Sequence, residues 1–205
     1  MRSKNQAANV WLALPRQRGA SLIMVMIVLT IVSLLGIAGI QVSMMSERGA
    51  RNDRDQQLAW QSAEAALIDA EIDISGPGAS TRRAIFTSKD ASKFIDGCGT
   101  TGNTRGLCNI VSSGRPTWLT AGFDFSDTSS SAPSAAYGEF TGRTFESGSV
   151  GVQPAQPPRY VIEMLVDPGR VDLSKTGSEF VYRVTAIGFG PRTDIQAVLQ
   201  MIYRD

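Results

Sequence analysis

Arg16-Gln17-Arg18-Gly19-Ala20, with the uncharged run that follows it to Val42, decides how this chain is built. No charged side chain occurs between Ala20 and Val42, and the first carboxylate of the chain is Glu47. A run of about 23 residues makes a helix of roughly 34 Å, enough to cross a bilayer core of about 30 Å. A short basic leader, a glycine and then a long apolar helix is not the layout of an ordinary secretory signal. It is the layout of a protein cut before its membrane helix, so that the helix is kept.

The totals agree with an anchored, exported protein. The chain has 205 residues and a formal net charge of +1. That balance hides an asymmetry: the first 19 residues hold Arg2, Lys4, Arg16 and Arg18 and no acid. The basic end should stay cytoplasmic by the positive-inside rule. The rest, with a small acidic excess, has no basic footprint for nucleic acid. There is no histidine, which removes the usual general base and most metal sites. Cys98 and Cys108 are the only cysteines, and they fit neither a C-x-x-C redox pair nor a four-ligand zinc site. In an oxidising compartment they read as one disulfide; the alternative is two reduced core cysteines. No cofactor is expected.

The apolar patch from Val10 to Leu14 is too short for a signal-peptide core and no A-x-A site follows it. On hydropathy alone, an uncleaved signal anchor with a basic flank is the simpler reading. The next segment argues further. From Ser46 to Ile74 there is no proline, and only Gly49 interrupts strong helix formers. Leu58, Ala65, Ile68 and Ile72 recur at helical spacing, and Leu67, Ala70 and Ile74 widen the stripe. Glu47/Arg51 and Arg51/Asp55 place opposite charges four apart, supporting a solvated turn outside the membrane. The spacing predicts one helix from about Ala20 to about Ile74, stopped by Ser75-Gly76-Pro77-Gly78. Gly36 and Gly39 lie in its apolar half, where glycine serves close helix packing or local melting outside lipid. Glu64, Asp69 and Glu71 read as a solvated face.

Residues 75–158 are rich in Gly, Ser, Thr and Pro. Short strands are expected near Ala84 to Thr87 and Glu139 to Phe145, with loops from Ser126 to Ser134 and Gly151 to Pro158. Three β-rich runs follow: Tyr160 to Val166, Phe180 to Gly188 and Ile195 to Tyr203. Ile195, Ala197, Leu199, Met201 and Tyr203 fall on one face of the last run, Gln196 and Gln200 on the other. Tyr182, Val184 and Ala186 oppose Arg183 and Thr185. This predicts an antiparallel sheet with one face buried, covered by the amphipathic half of the helix. Trp118, Phe123 and Phe125 read as core. No catalytic constellation is present: Gly188-Phe189-Gly190 precedes a β-run and not a helix, and no G-x-S-x-G occurs.

A basic leader ending in glycine, a retained apolar helix, an amphipathic extension and a terminal sheet together resemble a type IV pilin precursor, and within that superfamily the PilX family of minor pilins. The likeness is carried by Gln17-Arg18-Gly19-Ala20-Ser21-Leu22, by Glu47-Arg48 and by Arg54 to Leu67. Gly106-Leu107-Cys108, Tyr182 to Gly188 and Leu199 to Tyr203 add to it. The resemblance implies an α+β pilin fold with a long N-terminal helix on a C-terminal antiparallel sheet. Its segments are a leader over 1–19, a transmembrane or fibre-core half over 20–45, an amphipathic half over 46–74 and a periplasmic domain over 75–205. It further implies that a prepilin peptidase cuts between Gly19 and Ala20 and that Ala20 is N-methylated. The mature protein then waits in the inner membrane and joins other minor pilins in a priming complex at the pilus tip. Its partners would be those pilins, the inner-membrane assembly platform and a tip adhesin. One departure matters. Major pilins carry glutamate at the fifth mature position, where this chain has Met24. A carboxylate in lipid persists only with a partner, and a chain without it suits a rare subunit better than a repeated one. Two other readings fit less well: a K-type pseudopilin of type II secretion, and a plain membrane-anchored periplasmic binding module.

Overall fold

The computed structural model describes residues 20–76, 82–148, 150–167 and 180–204. Helix α1 spans Ala20–Ser75, as its uninterrupted helix formers predict. The Gly76 N–H donates to the Ile72 carbonyl at 2.8 Å and closes the last turn. The chain divides into two compact units, Met1–Gly49 and Ala50–Asp205.

In the first unit every described side chain from Ser21 onward is exposed. Its few polar side chains are satisfied locally where they could be: the Ser33 hydroxyl donates to the Leu29 carbonyl at 2.8 Å, and Thr30 returns to the Met26 carbonyl. Hydroxyls bonded one turn back bring no unmet hydrogen-bonding need into an apolar solvent.

The second unit is built on a sheet of five strands among the described residues. They are β1 (Leu107–Cys108), β2 (Ala135–Ala136), β3 (Arg159–Val166), β4 (Phe180–Phe189) and β5 (Gln196–Tyr203), in the order β1-β3-β4-β5 with β2 also on β3. The three long strands are antiparallel, from Val166↔Phe180 to Arg159↔Ile187 and from Tyr182↔Tyr203 to Phe189↔Gln196. The expected sheet is thus present, but it is mixed: β1 runs parallel to β3, with Leu107 opposite Ile162. The Ile162 N–H reaches back to the Gly106 carbonyl at 2.7 Å, so a segment from the Gly-rich middle completes the sheet.

Three further expectations are corrected. The segment Ala84 to Thr87 is not a strand but part of α2 (Arg83–Thr87), a single turn that buries Ile85 and Phe86. Glu139 to Phe145 forms no strand either. Gly138 and Gly142 hold positive φ there, and a Cβ on Gly138 would stand 1.8 Å from the Arg143 carbonyl oxygen, so the chain coils instead of extending. The sheet is also buried on both faces over β3 and β4. One face joins Tyr160, Ile162, Tyr182, Val184 and Ala186 to α1 residues Ala66, Ala70 and Ile74. The other packs Val161, Ile187 and Phe189 against Cys98, Cys108 and Phe125, with Trp118 and Phe123 partly buried beside them. The three aromatics are core, as read.

The helix buries only part of the expected stripe, Ala70 and Ile74 with Leu67 partly covered against the core, and its centre lies on smaller residues. Ala59, Ser62, Ala63, Ala66, Asp69, Ala70, Asp73 and Ile74 are buried, whereas Ile68 is half exposed and Leu58, Ala65 and Ile72 are only partly covered. The cause is close approach. A Cβ on Gly188 of β4 would lie 2.1 Å from the Ala59 carbonyl oxygen and 2.2 Å from the Ala63 nitrogen, so helix backbone rests directly on strand backbone. Only small residues permit that contact. Gly188→Ala forces two main chains apart with no side chain free to yield, and should cost at least about 2 kcal/mol, read as a shifted denaturation midpoint of the detergent-solubilised protein. A change within 0.5 kcal/mol, the usual range for a surface substitution, would contradict this packing.

Candidate functional site

The residues singled out by sequence fall in separate places. Gly19 lies outside the described residues. Ala20 opens α1. Met24 follows one turn later, its side chain exposed among Ser21, Val25 and Val28. Among the described residues, α1 is the one helix long and apolar enough to cross a membrane, with a mean hydropathy of 2.8 in its most apolar window. The apolar stretch ends before Glu47, so the charged half of α1 stands outside it.

Cys98 and Cys108 are joined in a disulfide, ten residues apart. Both are buried against the face of the sheet away from α1. The Gly99 and Ile95 N–H groups donate to the Leu107 carbonyl at 3.1 and 3.2 Å, so the covalent link and the backbone bonds clamp the same loop. Closing a loop this short stabilises by about 3 kcal/mol in the chain-entropy model.

What sequence reading missed is a set of buried ion pairs. Asp73 and Arg82 are both without solvent contact. Arg82 Nε donates to Asp73 Oδ2 at 2.8 Å and its Nη2 makes a second bond to the same oxygen. The Tyr160 hydroxyl donates to that carboxylate at 3.0 Å. Burial, with the Asp73 charge adding to it, pushes the Tyr160 phenol well above its usual range, so it remains a donor. Arg82 also bonds the Arg105 carbonyl and lies 3.7 Å over the Phe140 ring. Asp69, expected on a solvated face, is fully buried. It accepts the Gly138 N–H at 2.8 Å and the Thr141 hydroxyl at 2.5 Å, with Arg143 at 3.7 Å. Burial raises its carboxyl above the usual range, while Thr141, Gly138 and Arg143 pull it down. Across β3 and β4, Arg183 grips the buried Glu163 with two bonds of 2.7 and 2.9 Å. The available signal was spacing: Asp69 and Asp73 are four apart and continue the alanine face.

Each of these carboxylates is engaged by a guanidinium or by main-chain and hydroxyl donors, and the arrangement positions backbone rather than activating a nucleophile. The two aspartates should therefore respond differently to neutralisation. Asp69→Asn keeps an acceptor and removes a buried charge, so stability should move by less than about 1 kcal/mol. Asp73→Asn removes the carboxylate charge held against the buried Arg82 guanidinium and weakens a buried ion pair, at a cost of about 3–5 kcal/mol. Chemical denaturation of both variants checks this; equal effects would contradict it.

Comparison with known proteins adds the family. Residues 18–67 match the family model described as PilX N-terminal, and residues 104–205 match the one described as Type IV pilus assembly protein PilX C-term. No curated protein and no solved structure matches the chain.

Proposed function

The chain belongs to the PilX family of type IV pilus assembly proteins, and on that premise we propose that this minor pilin primes pilus assembly from a tip complex with other minor pilins. A prepilin peptidase cuts between Gly19 and Ala20 and methylates the new amine. The apolar half of α1 holds the mature protein in the inner membrane, with the domain after it in the periplasm, until the assembly platform draws it into the fibre. There it acts as an assembly factor and not as an enzyme.

The observation that carries this reading is Met24. It stands at the fifth position after the proposed cut, where a repeated pilin subunit would carry a glutamate to pair with its neighbour. Its side chain is exposed on the apolar half of α1. A subunit without that charge suits a place where no subunit above needs pairing. Gly36 and Gly39 have open space around them, and they support the same reading because they leave room for close approach by the helices of other pilins. The pseudopilin reading is disfavoured by the middle of the chain. Those proteins carry a large inserted helical domain, whereas the helix in residues 82–148 amounts to α2 and three short 3-10 turns, set around the two-residue strands β1 and β2.

Deleting the protein should lower the number of surface pili several-fold while leaving the fibre's main subunit unchanged, counted by electron microscopy of sheared fibres in a strain without redundant minor pilins. Normal pilus numbers in that strain, or this chain as the dominant fibre protein, would contradict the reading.

A further inference from the structure

Strand β5 is the outermost strand of the sheet among the described residues, paired with β4 on one side. Its eight residues include no charge and no proline, and it pairs without a bulge along its whole length. Soluble proteins ordinarily blunt such an edge with lysine, proline, a bulge or a very short strand. None of these devices is used here.

The phase of the ladder can be read. The Gly190 N–H donates to the Ile195 carbonyl at 2.8 Å where β4 hands over to β5. Main-chain groups alternate sides along an antiparallel strand. Those of Ala197, Leu199, Met201 and Tyr203 therefore face β4, and those of Gln196, Val198, Gln200 and Ile202 face outward. Consistent with this phase, the Gln196 carbonyl is free to accept from Gln56 Nε2 of α1 at 3.3 Å. The side chains give a second, independent sign. Leu199, Met201 and Tyr203 are only half-buried, although their cross-strand neighbours Ala186, Val184 and Tyr182 are 0, 0 and 2% exposed. On the opposite face Val198 and Ile202 are 44 and 58% exposed. The hydrophobic core thins out on this side: of the β5 residues only Ala197 is buried, while Met201 and Tyr203 pack against the core partly covered.

We propose that β5 receives one more strand, an extended and uncharged segment with apolar side chains on both faces, donated by another subunit of the pilus assembly. The charges flanking the edge are already matched, Arg192 with Asp194 and Arg204 with Asp167 at 2.9 Å, so the edge selects a neutral strand. Main-chain bonds to Val198, Gln200 and Ile202 supply affinity, and cover for Leu199, Met201 and Tyr203 supplies specificity. That the donor is a pilus subunit rests on the function proposed above.

Amide hydrogen exchange tests this on the full chain in native membranes, alone and co-assembled with the other pilus subunits. Alone, the Val198, Gln200 and Ile202 amides should exchange fast while Leu199 and Met201 are protected. In the assembly the first three should slow by about a hundredfold, as opening-limited amides do. Ile202→Lys should abolish that slowing and leave Leu199 and Met201 protected. A photo-cross-linker at Val198 should join a peptide of a different pilus subunit. Exchange unchanged by assembly, amides already slow in the chain alone, or an adduct to a second copy or to this chain itself would each overturn the proposal. The priming reading fails instead on pilus number, so the two failures are distinct.

Discussion

The end of α1 is fastened to the sheet by one carboxylate and one guanidinium that never meet water. Asp73 sits in the last turns of the helix and Arg82 just beyond it. Their attraction alone would not repay the desolvation of two charges. Further bonds to both partners offset that cost here. Asp73 also takes the Tyr160 hydroxyl from β3, and Arg82 also binds the Arg105 carbonyl ahead of β1 and lies over Phe140. One ion pair thus ties together the helix, the central strand, the parallel strand β1 and the loop that follows β2. Asp69, one turn earlier, fixes the same loop through Gly138 and Thr141.

Much of this was legible in the chain, and the reasons for the failures are specific. The ends of α1 and the spans of β3, β4 and β5 follow from uninterrupted helix formers, Gly76 and period-two alternation, and all were read closely. The helix face is legible only in part: Ala70 and Ile74 of the expected stripe are buried, but Leu58, Ala65, Ile68 and Ile72 are not, because the contact with Gly188 brings Ala59 and Ala63 to the centre instead. The buried aspartates were hidden for a related reason, since a carboxylate on a helix looks solvated until its partner is placed, and Arg82 and Thr141 come from other elements. From sequence the outer face of the sheet looks open, because nothing local says that Phe125 and the disulfide fold back over Val161 and Phe189. Tertiary contact set the short middle segments, so propensity could not distinguish α2 from a strand.

The same division runs through the function. Evidence for assembly lies in the N-terminal region, in an apolar helix with no charge from Ala20 to Val42 and Met24 near its start. The domain after it is held together by buried ion pairs, a disulfide and a tight helix–sheet contact. The family models match both regions. Buried pairs such as Asp73–Arg82 and Glu163–Arg183 make partial opening of this domain unfavourable.

Both a pilin and an uncleaved signal anchor keep the apolar helix; the proposed cut ahead of it, between Gly19 and Ala20, is what would separate the two. Its most direct test is the intact mass of the protein extracted from inner membranes of cells with an active prepilin peptidase. The expected mass is short of residues 1–19 and heavier by one methyl group, with Ala20 as the N-terminus. A full-length mass, or a chain cut anywhere beyond the helix, would contradict it.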